Sequence, residues 1–188
     1  KAYGGNLLEA PVYWFRAEAL PGQYDFSDAA DLIDRCRVHG LYLILLWFGT
    51  SKNGHPNYAP EWVKLDPKTY RVAQGPDGAP VASLSPHCSA TMERDALAFA
   101  RVMRFLKEYD GETGTVLAVQ VENEMGYANT DRDYGKAADQ DFEAIQAVGI
   151  ALTGRDPGVT GAQFILYRLV ELIFRQSPSV SHAAGTSG

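Results

Sequence analysis

The sequence predicts a parallel α/β fold, and three observations predict it. Apolar runs at Leu7–Phe15, Leu41–Phe48 and Thr115–Val121 read as strands, and two segments of helical periodicity, Asp28–His39 and Thr91–Tyr109, separate them. The second and third runs are almost unbroken in apolar character, as a strand covered on both faces requires. Finally, the connecting segments are long enough for right-handed crossovers, so strand, helix, strand, helix, strand reads as consecutive parallel units.

Each element has a local reason. Leu7–Phe15 is rich in aliphatic and aromatic residues and is followed by a turn at Pro21-Gly22. Ser27 can cap the first helix, where Ala29, Leu32, Ile33 and Cys36 recur on one face. Asp28, Asp31 and Asp34 form a solvated face, and Gly40 supplies the stop. Gly49–Ser89 reads as a long irregular connection, broken by Pro56, Pro60, Pro67, Pro76, Pro80 and Pro86. Loops of that length in a compact domain are functional or disordered. The second helix aligns Phe99, Val102, Met103 and Leu106 and stops at Asp110-Gly111. Beyond Phe142 the glycines 149, 154, 158 and 161 punctuate the chain. The expected division is therefore an α/β unit over 1–142 and an atypical tail over 143–188. In that tail Ala162–Gln176 reads as an amphipathic helix, and the residues from Ser177 should fray.

Composition narrows the function classes. A net charge of -6 lacks the basic footprint of a nucleic-acid binder. The most apolar stretch, Phe164–Phe174, is interrupted by Arg168 and Glu171 and is too short for a bilayer, so no membrane partner is expected. The first residues show no basic start followed by an apolar run, so no signal peptide is read there. Cys36 falls on a helix face and Cys88 in a loop, which argues against a disulfide framework. No H-E-x-x-H, paired-cysteine or phosphate-loop pattern occurs, so neither metal nor cofactor is expected. Ser85 and Ser89 lack a nucleophile-elbow context.

The residues with chemical promise are Gln120-Val121-Glu122-Asn123-Glu124, at the C-terminal end of the third strand. Parallel barrels build their active sites at that end. Alternation along the strand puts Glu122 and Glu124 on one face and Asn123 on the other, and a bend can bring Asn123 and Glu124 to the site together. A carboxylic acid whose pKa is raised by burial beside a second carboxylate can protonate a leaving oxygen.

Gln120 through Gly126 resembles the QxENEYG signature of the glycoside hydrolase family 35 β-galactosidases, with Met125 in place of the usual tyrosine. Trp14, Glu18, Gly22, Tyr24, Asp25 and Phe26 are similar to that family's W-x-x-x-E-P-x-x-G-x-Y-D-F run, with Ala19 where proline is usual. Leu45–Thr50, Lys52-Asn53-Gly54 and Tyr58–Val63 resemble a bacterial subgroup. The match extends over about Gly5–Asp141. It implies a (β/α)8 TIM barrel, of which this chain holds roughly the second to fourth βα units, and hydrolysis of terminal β-galactosides with retention. By position Glu124 is the general acid/base, Asn123 binds the hydroxyl beside the reacting carbon, and Glu122 supports the site or touches the sugar. Trp47, Trp14 and Asn53 join the expected contacts to a β-galactoside or related oligosaccharide, and Trp62 and Tyr58 are further stacking candidates.

Two departures bear on sugar identity. The third-strand Ala-Glu-Trp contact is missing from Trp47–Gly54, and the second-strand tyrosine falls on Pro11. Retention also needs a second carboxylate about 5 Å away, which the family places on its seventh strand. Glu143 and Glu171 do not end strand-like runs, so the nucleophile is expected outside this chain and the chain alone is expected to be inactive. The rival expectations are a non-catalytic half-barrel remnant and another β-glycosidase of the same barrel clan. The residues point to no oligomeric state and no compartment.

Overall fold

The structure, a computed structural model, describes residues 4–52, 58–123, 126–127 and 129–153. Three parallel strands, β1 (Leu7–Tyr13), β2 (Tyr42–Lys52) and β5 (Val116–Asn123), form a sheet in the order β1-β2-β5. Helix α2 (Ser27–His39) links the first pair and α4 (Ser89–Tyr109) the second. Each new strand is added on the same side, the progression of a barrel wall; a doubly wound sheet reverses direction at a switch point.

Burial explains the strand pattern. Leu43, Leu45 and Trp47 of β2 are almost wholly buried, at period two, against the helical layer. Ala29, Ile33 and Cys36 of α2 and Phe99, Val102 and Leu106 of α4 supply the facing stripe. All but Ala29 belong to one apolar cluster with Trp14 and Val63. Gly40 ends α2 in the left-handed conformation at φ 59, where its own N–H and that of Leu41 cap carbonyls of the last turn.

The N-terminal ends of the strands are tied by Arg37. Its guanidinium donates to Asp110 Oδ1 at 2.8 Å and to Thr115 Oγ1 at 3.2 Å, while Val116 N donates to Asp110 Oδ2 at 2.7 Å. The corner between α4 and β5 is thereby pinned to the end of α2.

Several sequence expectations are corrected. The first strand ends at Tyr13, and Trp14–Ala17 form a helical turn, α1. Ser27 is the first residue of α2 rather than its cap; its N–H donates to Asp25 Oδ1 at 2.8 Å, so Asp25 takes the capping role. The proline-rich connection is ordered by a short helix, α3 (Glu61–Lys64), and an antiparallel hairpin, β3 (Val72–Gln74) and β4 (Pro80–Leu84). Helix α5 (Lys136–Thr153) follows β5. The helix expected over Ala162–Gln176 and the frayed end lie outside the described residues. Cys36 and Cys88 are free, buried thiols, and no described helix is long and apolar enough to cross a membrane.

Candidate active site

The C-terminal ends of β2 and β5 converge on one cluster. Register runs evenly from Ile44↔Ala118 to Trp47↔Val121, then jumps to Lys52↔Asn123, so β2 takes five residue steps where β5 takes two. The surplus carries Gly49 and Thr50 over the end of β5. There Thr50 N lies 2.9 Å from both Asp95 Oδ2 and Glu122 Oε1, and the Thr50 hydroxyl also donates to Asp95. Trp47 Nε1 donates to Asp95 Oδ1 at 2.8 Å. A Cβ at Gly49 would collide with Asp95, Glu122 and Trp47. Glycine is what allows the two carboxylates to approach this backbone.

Glu122 has φ 59, the single non-glycine residue of positive φ among those described. Such a conformation costs a non-glycine residue energy and persists where surrounding contacts hold it. Here the contact with Thr50 holds it, one residue before β5 ends at Asn123.

Beneath the turn, Thr50, Thr91, Asp95, Glu122 and Tyr127 line a cavity of about 30 Å³. Burial, with Asp133 nearby, pushes the Tyr127 hydroxyl pKa well above its ordinary value. Among the described residues no group of His, Cys, Asp and Glu could hold a metal ion.

The structure sorts the sequence candidates. Asn123 closes the β5 ladder opposite Lys52. Glu124 and Asn53 lie outside the described residues. Glu122 is 3% exposed and turned toward Thr50, a supporting position that leaves almost no surface for a sugar. Trp47 and Trp14 are both 0% exposed. Trp47 is held by Asp95 and packs on Phe99, while Trp14 donates to Glu18 Oε2 at 2.8 Å and meets Trp62 edge-on. Trp62 donates to Glu18 O at 3.1 Å. At the end of β1, Tyr13 packs on Phe15, and Tyr58 stacks on Tyr13 with ring centroids 5.3 Å apart.

The residue that sequence reasoning missed is Asp95, buried in α4. Its signal was present. Thr91, Asp95, Phe99, Val102 and Leu106 follow one helical face, so a carboxylate stood on the apolar stripe. Arg94 and Glu18 were also missed as a pair: they form an ion pair, and Glu18 is wholly buried.

Comparison with known proteins places this architecture among β-galactosidase barrels. The β-galactosidase of Rahnella sp. R3 superposes with a TM-score of 0.59 at 15% identity, covering 76% of this chain and 20% of that one. The polyextremophilic enzyme of Halorubrum lacusprofundi gives 0.57 at 21% identity, with coverage of 79% and 21%. The exo-β-1,4-mannosidase Op5Man5 of Opitutaceae bacterium strain TAV5 shares the fold at 0.53 and 17% identity, over 93% of this chain and 24% of that one.

The sequence profile of the glycoside hydrolase family 42 β-galactosidases matches residues 4–147, and the chain belongs to that family. The signature motifs suggest family 35 where the matching profile names family 42; the β-galactosidase family relationship is common to both. A β-galactosidase of Xanthomonas manihotis is 30% identical over 137 residues, 71% of this chain and 21% of its own length. β-Galactosidase 6 of Oryza sativa subsp. japonica is 29% identical over 139 residues, 71% of this chain and 15% of its own. The chain thus spans only 21% and 15% of the length of these two curated relatives.

Proposed function

We propose that this chain is the second-to-fourth βα portion of a retaining β-galactosidase barrel, in which Glu124 is the general acid/base. The supporting observation is the left-handed turn at Glu122, which redirects β5 at the sheet end where such barrels do their chemistry. Asn123 binds the hydroxyl beside the reacting carbon. Glu122 and Asp95 brace the turn through Thr50. Tyr13 and Tyr58 offer ring surface to the sugar. The nucleophile comes from a later strand; Glu143, exposed on α5, is remote in kind from a strand-end carboxylate.

The test has two arms. The isolated chain should turn over no aryl β-galactoside, and turnover abolished by Glu124→Gln would overturn the assignment of the nucleophile to another segment. In the complete barrel carrying this segment, Glu124→Gln should slow alkyl β-galactosides by about 10²–10⁴-fold, the usual worth of general acid catalysis. Activated aryl glycosides, whose leaving groups need little protonation, should suffer less. Equal losses on both substrates would reject Glu124 as proton donor. A panel of β-glycosides on the same protein separates galactosidase from other β-glycosidases of the clan.

One observation favours the half-barrel remnant as a second reading: Leu7, Leu8 and Leu117 on the outer strands are exposed. Apolar surface of that kind beside sheet edges promotes pairing with another chain. Sedimentation separates the two; a cooperatively melting monomer counts against the remnant.

A further inference from the structure

The cavity beneath the turn at Glu122 is water-sized. Its volume is about 30 Å³, and a buried site needs roughly 10–15 Å³ to admit one water molecule. Separate pieces of the chain enclose it. Thr91 and Asp95 come from α4, Thr50 and Glu122 from the ends of β2 and β5, and Tyr127 from the chain beyond β5.

Two hydroxyls on this lining lack a protein partner. Thr91 is 1% exposed, and its Oγ1 closes no hydrogen bond among the described residues; it faces the sulfur of Cys88, a weak acceptor. The Tyr127 hydroxyl is also enclosed and closes none either. Burial, with Asp133 nearby, keeps that phenol protonated, so it stays a donor. Asp95 and Glu122 lie on the same walls, and an ionised carboxylate only accepts. An enclosed hydroxyl without a partner forfeits the bonds it made in solvent. Two hydroxyls and two carboxylates around so small a volume call for a ligand that accepts and donates at once. The carboxylates disfavour an anion, and no group of His, Cys, Asp and Glu among the described residues could hold a metal ion.

We infer that this cavity is the binding site of one structural water, which accepts from Tyr127 Oη and Thr91 Oγ1 and donates to the carboxylates of Asp95 and Glu122. Four partners are the full complement of a buried water. The water ties the chain beyond β5 to α4, beside the clasp at Thr50 and independently of which residue donates a proton to substrate.

The test reads the sign of two substitutions in the full chain. Thr91→Val and Tyr127→Phe each remove one hydroxyl and keep the outline of the side chain. Around a bound water each forfeits an ordinary hydrogen bond, so the unfolding equilibrium constant from urea titration should rise about fivefold. In a dry cavity the same changes delete an unsatisfied polar atom, and the constant should hold or fall; that sign overturns the site. The double variant asks whether one water serves both hydroxyls. Groups that share a water lose it together, so the combined rise should stay well short of the roughly 25-fold expected of two independent losses. A full product of the single effects would overturn the shared water. Should a variant fail to fold, NMR of the labelled parent chain decides: the Thr91 methyl should show a nuclear Overhauser effect to a long-lived water, and its absence rejects the site.

Discussion

Asp95 and Glu122 meet at a single backbone amide: the N–H of Thr50 lies 2.9 Å from an oxygen of each. One carboxylate comes from α4 and the other from the end of β5, and the amide belongs to the surplus residues of β2. Three elements are locked together at the mouth by this one group. Hydrogen bonds to carboxylates in low-dielectric surroundings are worth more than neutral ones, and losing one partner strands the rest.

Removing Asp95 should be costly. Asp95→Ala leaves Trp47 Nε1 and the Thr50 hydroxyl without their acceptor in a buried place. Each stranded donor costs about 1–3 kcal/mol. A drop of roughly 2–5 kcal/mol in urea unfolding is expected, and Asp95→Asn should lose less. A change below about 0.5 kcal/mol for the alanine variant would show that the cluster does not hold the fold.

Gly49 tests the same cluster from the backbone side. Gly49→Ala puts a methyl group into Asp95, Glu122 and Trp47 at once. The expected loss is about 1–3 kcal/mol, the usual penalty of overpacking. Gly5→Ala, where a Cβ meets nothing within 4 Å, is the control and should be nearly neutral.

Glu18 makes a parallel case at the other side of the core. It accepts from Trp14 Nε1 and Gly22 N, both at 2.8 Å, and pairs with Arg94. Arg94 keeps 27% side-chain exposure, so its charge can rehydrate when the partner goes. Glu18→Ala should therefore cost about 2–4 kcal/mol, at or below the 3–5 kcal/mol of a fully buried broken pair. Glu18→Gln, which keeps the acceptor for one N–H, should cost less. Thermal denaturation of the two variants measures the order.

Acid titration addresses the opposite end of the sheet. Burial opposes ionisation of Asp110, but the N–H of Val116, the Arg37 guanidinium and the hydroxyls of Thr115 and Thr113 outweigh it and hold the carboxyl below the usual aspartate range. The unfolded chain then takes up the proton first, at about pH 3.9. The contribution is complete above that pH and is lost as pH falls through the lower folded value. Asp110→Asn should be destabilised by about 1–3 kcal/mol at pH 7, and the gap should narrow as pH falls below about 3.9. A gap that stays constant from pH 7 to pH 3 would refute the linkage.

How much of this was legible in the residues follows from where each signal resides. The β2 and β5 runs and both long helices are specified by local apolar pattern, and Gly40 by its position after the last periodic residue. They emerged within a few residues of expectation. The β3–β4 hairpin did not, because its strands are three and five residues long, and its register depends on Asp133, dozens of residues downstream. Pro80 at the start of β4 reads as a breaker although an edge strand tolerates it. Trp14 and Trp47 carry no mark in the sequence of the carboxylates, Glu18 and Asp95, that receive their N–H groups in the fold. Gly149 suggested a break, yet α5 accommodates it, since one glycine in a helix costs only about 1 kcal/mol.

The turn at Glu122 also governs spacing. A pleated strand lets a slip of one residue exchange its two faces, whereas a left-handed residue can be occupied by only one position without a fresh set of clasps. Inserting or deleting a single amino acid between Gln120 and Glu122 would hand the clasp at Thr50 to a neighbour of the wrong length. The step from Gln120 to Glu122 therefore has an unadjustable length, and drift in this family can change its letters more readily than their number.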